Sequence, residues 1–203
     1  MNPYANRGWA PNRWYHPQSD PRLHVPLYYW PVPQDRLRPQ SKYPNLNPIL
    51  AVDTTLIQYD VRKTPLHGIL FSTAAQLGST LALSSPSAAI RIISHSFPWT
   101  LDIPAPVTCA AVFDGLHKML QEPLADSEWG TVCILDKSRR ETIEKAAKAR
   151  AERDKEKKLK RIDWLGDKTV FKGLEKDDEF EKKRLLPEMA PCAETWVVKF
   201  GKP

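Results

Sequence analysis

Nine of the chain's 19 prolines fall within its first 47 residues, and this crowding limits what can fold more than any other feature. Each proline fixes its own φ and removes a backbone N–H, so at this spacing neither a helix nor the interior of a sheet can be completed. Residues 1–45 are therefore expected to be an extended, largely disordered tail, followed by a single domain over 46–203. Disordered segments are usually poor in aromatic residues, and this one is not. "PLYYWPVP" (26–33) sets Tyr28, Tyr29 and Trp30 among prolines, a composition suited to docking in a groove of the same chain or of a protein partner.

The net charge of +6 is unevenly held: +4 over residues 1–47, −4 over 48–136, +7 over 137–161 and −1 over 162–203. The run 137–161 has 12 basic and five acidic residues, with Ser138 and Glu141 at capping-box spacing. Glu141 with Lys145, Glu144 with Lys148, Asp154 with Lys158 and Glu156 with Lys160 are i,i+4 pairs, each adding about 0.2–0.5 kcal/mol to an exposed helix. A long charged helical arm over 138–160 is expected, with Ile143, Ala146, Ala147, Ala151 and Leu159 as its only packing residues. It is either a solvated strut or a contact for phosphates, in which case Lys155, Lys157, Lys158, Lys160 and Arg161 would meet a nucleic acid. "KKLKR" (157–161) also has the composition of a nuclear import signal.

Beyond the tail, "LIQYDVR" (56–62) alternates as a half-buried strand does, with Ile57, Tyr59 and Val61 on one face. In "RIISHSFPWTLDI" (91–103) two such alternations flank "SHSFP", where Pro98 marks a turn, bulge or edge, so a hairpin is expected. Ser94, His95, Ser96 and Asp102 invite a hydrolase reading. It fails on chemistry, because neighbouring strand residues point to opposite faces and no glycine lies between Gly78 and Gly115 to form a nucleophile elbow.

"PVTCAAVFDGLHKML" predicts a helix capped by Thr108 that buries Val112, Phe113, Leu116, Met119 and Leu120, with His117 on its wetter flank. A short helix begun at Asp126 or Ser127 comes next, then the charged one. "RIDWLGDKTVFKGL" (161–174) reads as a strand through Ile162 and Trp164, a Gly166-Asp167 turn and a strand through Val170 and Phe171. "TWVVKF" (195–200) is the last strand. Strands, then helices, then strands predict an α+β fold: a mainly antiparallel sheet of about five strands packed with two or three helices, one of them long and charged.

Cofactor and metal motifs are not found: no G-x-G-x-x-G, Walker loop or H-E-x-x-H occurs, and the five histidines are scattered, so the expectation is no cofactor and no metal. The three cysteines, Cys109, Cys133 and Cys192, are odd in number and lack metal spacing, which favours an intracellular, cytoplasmic or nuclear location. The uncharged stretch 68–90 holds too much Ser, Thr and Gln for a membrane span and reads as buried loop and short helix, so no membrane partner is expected.

Several landmarks together resemble a fungal, mainly basidiomycete, domain family of unknown function. They are "LNPIL" (46–50), "YDVR" (59–62), "IRI" (90–92), "PW" (98–99), "VTCAAV" (107–112), "RIDWLGDKTVFKGL" (161–174) and "TWVVKF". The resemblance implies a domain boundary near residue 46 and supplies no catalytic residues; the long charged helix looks like an elaboration on it.

The expected function is a non-enzymatic macromolecular interaction module that presents its tail and its arm to a protein partner. Two alternatives stand beside it. One is a nucleic-acid-associated protein using the basic helix 139–161, and the other an enzyme with a spatially assembled site, for which Asp60, Asp102, Asp163 and Trp164 are the candidates.

Overall fold

The computed structural model of the chain describes residues 41–85, 88–184, 192 and 194–203, and of 131–135 the backbone alone. Tyr28, Tyr29 and Trp30 lie outside the described residues. Met1–Arg38 and Pro39–Pro203 are separate units, and every element below belongs to the second.

Five strands form one sheet in the order β1-β4-β5-β2-β3: β1 Tyr59–Asp60, β2 Ile90–Ile93, β3 Leu101–Ile103, β4 Val170–Glu175 and β5 Glu194–Gly201. Three of the four pairings are antiparallel, including the expected hairpin, in which Arg91 stands opposite Asp102. The exception is β5, which enters between β4 and β2 and runs parallel to β2, with Ile90 opposite Glu194 and Ile93 opposite Val197. Parallel neighbours need a long crossover, and here that crossover holds β3, most of the helices and β4.

Burial follows position in the sheet. All four residues of β2 are buried: Ile90 and Ile92 face the main core with Trp196, Val198 and Phe200, while Arg91 and Ile93 share the other face with Thr195 and Val197. β1 is shorter than its alternation suggests, because the Asp60 carboxylate accepts Arg62 N–H at 3.0 Å and turns the chain; Tyr59 and Val61 are buried nonetheless. Gly173, at φ 113, allows the 50–52 segment to lie on β4: a Cβ there would stand 2.4 Å from Val52 Cα. Across that approach Leu174 N–H donates to Leu50 O at 2.7 Å and Val52 N–H to Leu174 O at 3.0 Å.

The main helix, α3 (Cys109–Gln121), starts where the sequence places it, the Thr108 hydroxyl accepting Ala111 N–H at 3.1 Å. It buries the five expected residues, and at about 1.5–3 kcal/mol per fully buried large apolar side chain this face is a principal contribution to the core. His117 is half-buried, its Nδ1 3.0 Å from Val61 O. Ahead of α3 come two short helices, α1 (Pro65–Gly68) and α2 (Phe71–Leu77). In this stretch Ile69, Leu77, Ala82 and Leu83 are buried as expected, but Leu66, Leu70 and Phe71 are exposed.

After α3 come α4 (Asp126–Leu135), α5 (Lys137–Asp154) and α6 (Asp178–Arg184), and two expectations fail here. The charged helix does not run to residue 160. Asp136, not Ser138, caps it, accepting Arg139 N–H at 2.9 Å, and it stops where Lys155 turns left-handed at φ 58. Arg150 is the reason: its guanidinium takes the carbonyls of Glu156 and Lys158, at 3.2 and 2.5 Å, so these residues fold back instead of continuing the helix. The returning chain then pairs with the end of α3, Leu124 N–H donating to Leu159 O and Arg161 N–H to Glu122 O, both at 2.9 Å. "RIDWL" is likewise no strand but a 3-10 turn, Arg161–Leu165, in which Asp163 accepts Lys160 N–H at 2.9 Å and is held by Arg150.

Candidate functional site

Past the end of β2 the chain is bent by Ser94, whose buried hydroxyl donates to Val198 O at 2.9 Å and accepts Ser96 N–H at 3.1 Å. This bend turns His95 outward and Phe97 inward. The His95 ring lies against Phe180 of α6, centroids 3.7 Å apart, with Nε2 at 3.3 Å from Asp177 Oδ2. Asp177 in turn accepts Phe180 N–H at 2.9 Å; that bond first, and His95 second among the favourable contacts, hold its carboxyl below the usual range.

A second wall is built on Trp99, which packs edge-on to Trp164 at 5.2 Å and stacks on Phe97 at 5.9 Å. The Arg161 guanidinium lies 4.8 Å over the Trp99 ring and pairs with Glu122 and Glu128. Glu128 Oε1 accepts Trp99 Nε1–H at 2.5 Å and its Oε2 accepts Ala125 N–H at 2.9 Å. Burial pushes the Glu128 carboxyl up, but these donors and Arg161 together outweigh it and hold the carboxyl below its ordinary value.

Between the two walls is a cleft of about 550 Å³. Phe97, Pro98, Trp164 and Phe180 form its apolar sides, and Glu128, Asp136, Arg139 and Arg184 are its charged groups. The volume lies within the range of ligand pockets. The charged groups are unequally occupied. Glu128 is committed at both oxygens and Asp136 to the α5 cap, whereas Arg139 makes one long contact, Nη1 to Trp164 O at 3.5 Å. Among the described residues no carboxylate pairs with Arg139 or Arg184.

Of the four residues named for an enzymatic site, only Trp164 lines this cleft. Asp60 pairs with Arg62, Asp102 with Arg91 and Asp163 with Arg150. Ser94, His95 and Asp102 form no triad either: Asp102 belongs to Arg91, and the Ser94 hydroxyl is spent on a carbonyl. The basic residues named for nucleic acid divide. Lys155, Lys157 and Lys158 are exposed, Lys160 pairs with Glu156 at 2.7 Å, and Arg161 is absorbed into the Trp99 wall. Phe180 and Arg184 carry no warning in the sequence, and Arg139 stands out there only as the first base of the helix read for nucleic acid, since each joins this site only when α5, α6 and the segment after β2 meet.

Among the described residues no helix is long and apolar enough to cross a membrane, and no group of three or more His, Cys, Asp or Glu could hold a metal ion. No curated protein and no solved structure matches the chain. Residues 57–183, more than half of the chain and all of the cleft except Arg184, match the family of unknown function DUF6699, and the chain belongs to that family.

Proposed function

We propose that the chain is a non-enzymatic interaction module that seats an apolar side chain of a protein partner in the cleft lined by Phe97, Trp164 and Phe180. The observation that carries this reading is the meeting, in one cleft of about 550 Å³, of aromatic walls with guanidinium groups that no described carboxylate neutralises. Its walls come from the end of β2, the 3-10 turn and α6, the first two anchored in the core through Phe97, Ile162 and Leu165, so that these two are preformed. The local chemistry favours holding over turnover. His95 and Asp177 are an oriented pair, but the Ser94 hydroxyl beside them in the chain is buried and committed to Val198 O, so it is not offered to the pair as a nucleophile. In this reading Tyr28, Tyr29 and Trp30 offer the partner a second contact.

The test is a titration of the full chain with ten-residue peptides, each carrying one central Phe, Trp or Leu, followed through backbone amide shifts. Saturable shifts at Ser96, Phe97, Arg139, Trp164 and Phe180, lost in Trp164→Ala with the fold retained, are the expected outcome. Saturation mapped to another face, or none, refutes the reading.

A second reading rests on Lys155, Lys157 and Lys158, three exposed bases on the segment returning from α5, which would contact the phosphates of a nucleic acid.

A further inference from the structure

We infer that the cleft selects an acidic segment, a peptide in which the seated apolar side chain stands next to Asp or Glu. The inference rests on the proposed function and names the chemistry of its partner. Of the cleft's own carboxylates, Glu128 is spent, accepting from Trp99, Ala125 and Arg161, and Asp136 accepts Arg139 N–H at one oxygen and keeps its charge; Asp177, beside the His95 wall, accepts from Phe180 N–H and faces His95. Against Asp136 stand two guanidiniums. A guanidinium has five N–H donors, and Arg139 uses one of them, at 3.5 Å, while Arg184 meets no carboxylate among the described residues.

A carboxylate entering here gains charge-assisted hydrogen bonds beside apolar walls, whereas a lysine would meet two like charges and only Asp136 as a counter-charge not already paired. A bare anion would leave Phe97, Trp164 and Phe180 unused, and a purely apolar group would leave both guanidiniums unused; an apolar side chain with an adjacent carboxylate uses both. The net −4 over residues 48–136 does not oppose this, because at physiological salt charges beyond about 8 Å are largely screened and the near pairs decide.

The test uses fluorescein-labelled ten-residue peptides with a central Phe and three sets of flanks, Asp/Glu, Asn/Gln and Lys, titrated by anisotropy into the full chain and into R139Q, R184Q, R139Q/R184Q and Trp164→Ala. The acidic peptide should bind roughly tenfold tighter than its amide counterpart, a preference that collapses in the double variant. Because α6 buries none of its residues, R184Q alone should keep the fold and still reduce the preference. Equal affinity of acidic and amide peptides, with both lost in Trp164→Ala, would overturn the inference and leave the proposed function standing. An acidic preference that survives R139Q/R184Q would overturn it as well. Failure of every peptide to bind at the cleft would remove both.

Discussion

Arg150 counts in the sequence as one charge among the 12 basic residues of a solvated run, yet in the structure its side chain is 7% exposed and its partner Asp163 2% exposed. The guanidinium grips both carboxylate oxygens at 2.8 Å and two backbone carbonyls besides, so it joins α5, the returning chain and the 3-10 turn at one point. That bonding also raises the Arg150 pKa, with the Asp163 hydrogen bond as the leading cause. Helical spacing puts Arg150 on the stripe of Ile143 and Ala147, but a guanidinium there can be interior only with a partner, and Asp163, 13 residues on, supplies it. Arg150→Ala strands a buried carboxylate and frees two carbonyls, and should cost about 3–5 kcal/mol in urea unfolding. A loss below about 1 kcal/mol would mean that water reaches Asp163 and the pair is no anchor.

Elements whose signal is local were legible. The α3 face could be read because Thr108 and five apolar residues lie within one helical period pattern, and the hairpin of β2 and β3 because Pro98 interrupts two alternations. The charged helix looks longer in the sequence than it is for a related reason: i,i+4 charge pairing continues through Glu156 and Lys160, and these two do pair at 2.7 Å, but across a non-helical return. This shape bears on the nucleic-acid reading at the scale of the element. A straight helix would offer five bases from Lys155 to Arg161, whereas the return engages Lys160 and Arg161 and leaves three lysines exposed. If phosphates bind there, changing Lys155, Lys157 and Lys158 to Gln should lower the log–log salt slope for mixed nucleic acid by at most about 2.7, since each phosphate contact contributes about 0.9. A fall near 4.5 on changing all five bases would require Lys160 and Arg161 to leave their partners, and no fall in the triple variant, or no binding at physiological salt, removes the reading.

At the scale of the molecule the sheet order and the cleft were beyond sequence reasoning for the same cause: both join segments far apart in the chain. Paired residues of β2 and β5 are 104 positions apart, as Ile90 and Glu194 are, and the cleft gathers Phe97, Glu128, Arg139, Trp164, Phe180 and Arg184, which no single spacing pattern connects. The family match over 57–183 sharpens this point, because it omits both β5 and the 46–52 segment. Yet β5 is hydrogen-bonded on both edges, to β2 and to β4, and the earlier segment bonds to Leu174. The matched span therefore lacks Leu46, Leu50, Trp196, Val198 and Phe200, all buried in the main core. At about 1.5–3 kcal/mol each these five side chains contribute about 8–15 kcal/mol, as much as the whole net stability of a typical domain. A fragment of residues 57–183 should thus fail to show a cooperative urea transition by circular dichroism, while residues 41–203 show one. Cooperative unfolding of the shorter fragment would mean that β4 and β2 can close the sheet without β5, and that the core does not depend on the central strand.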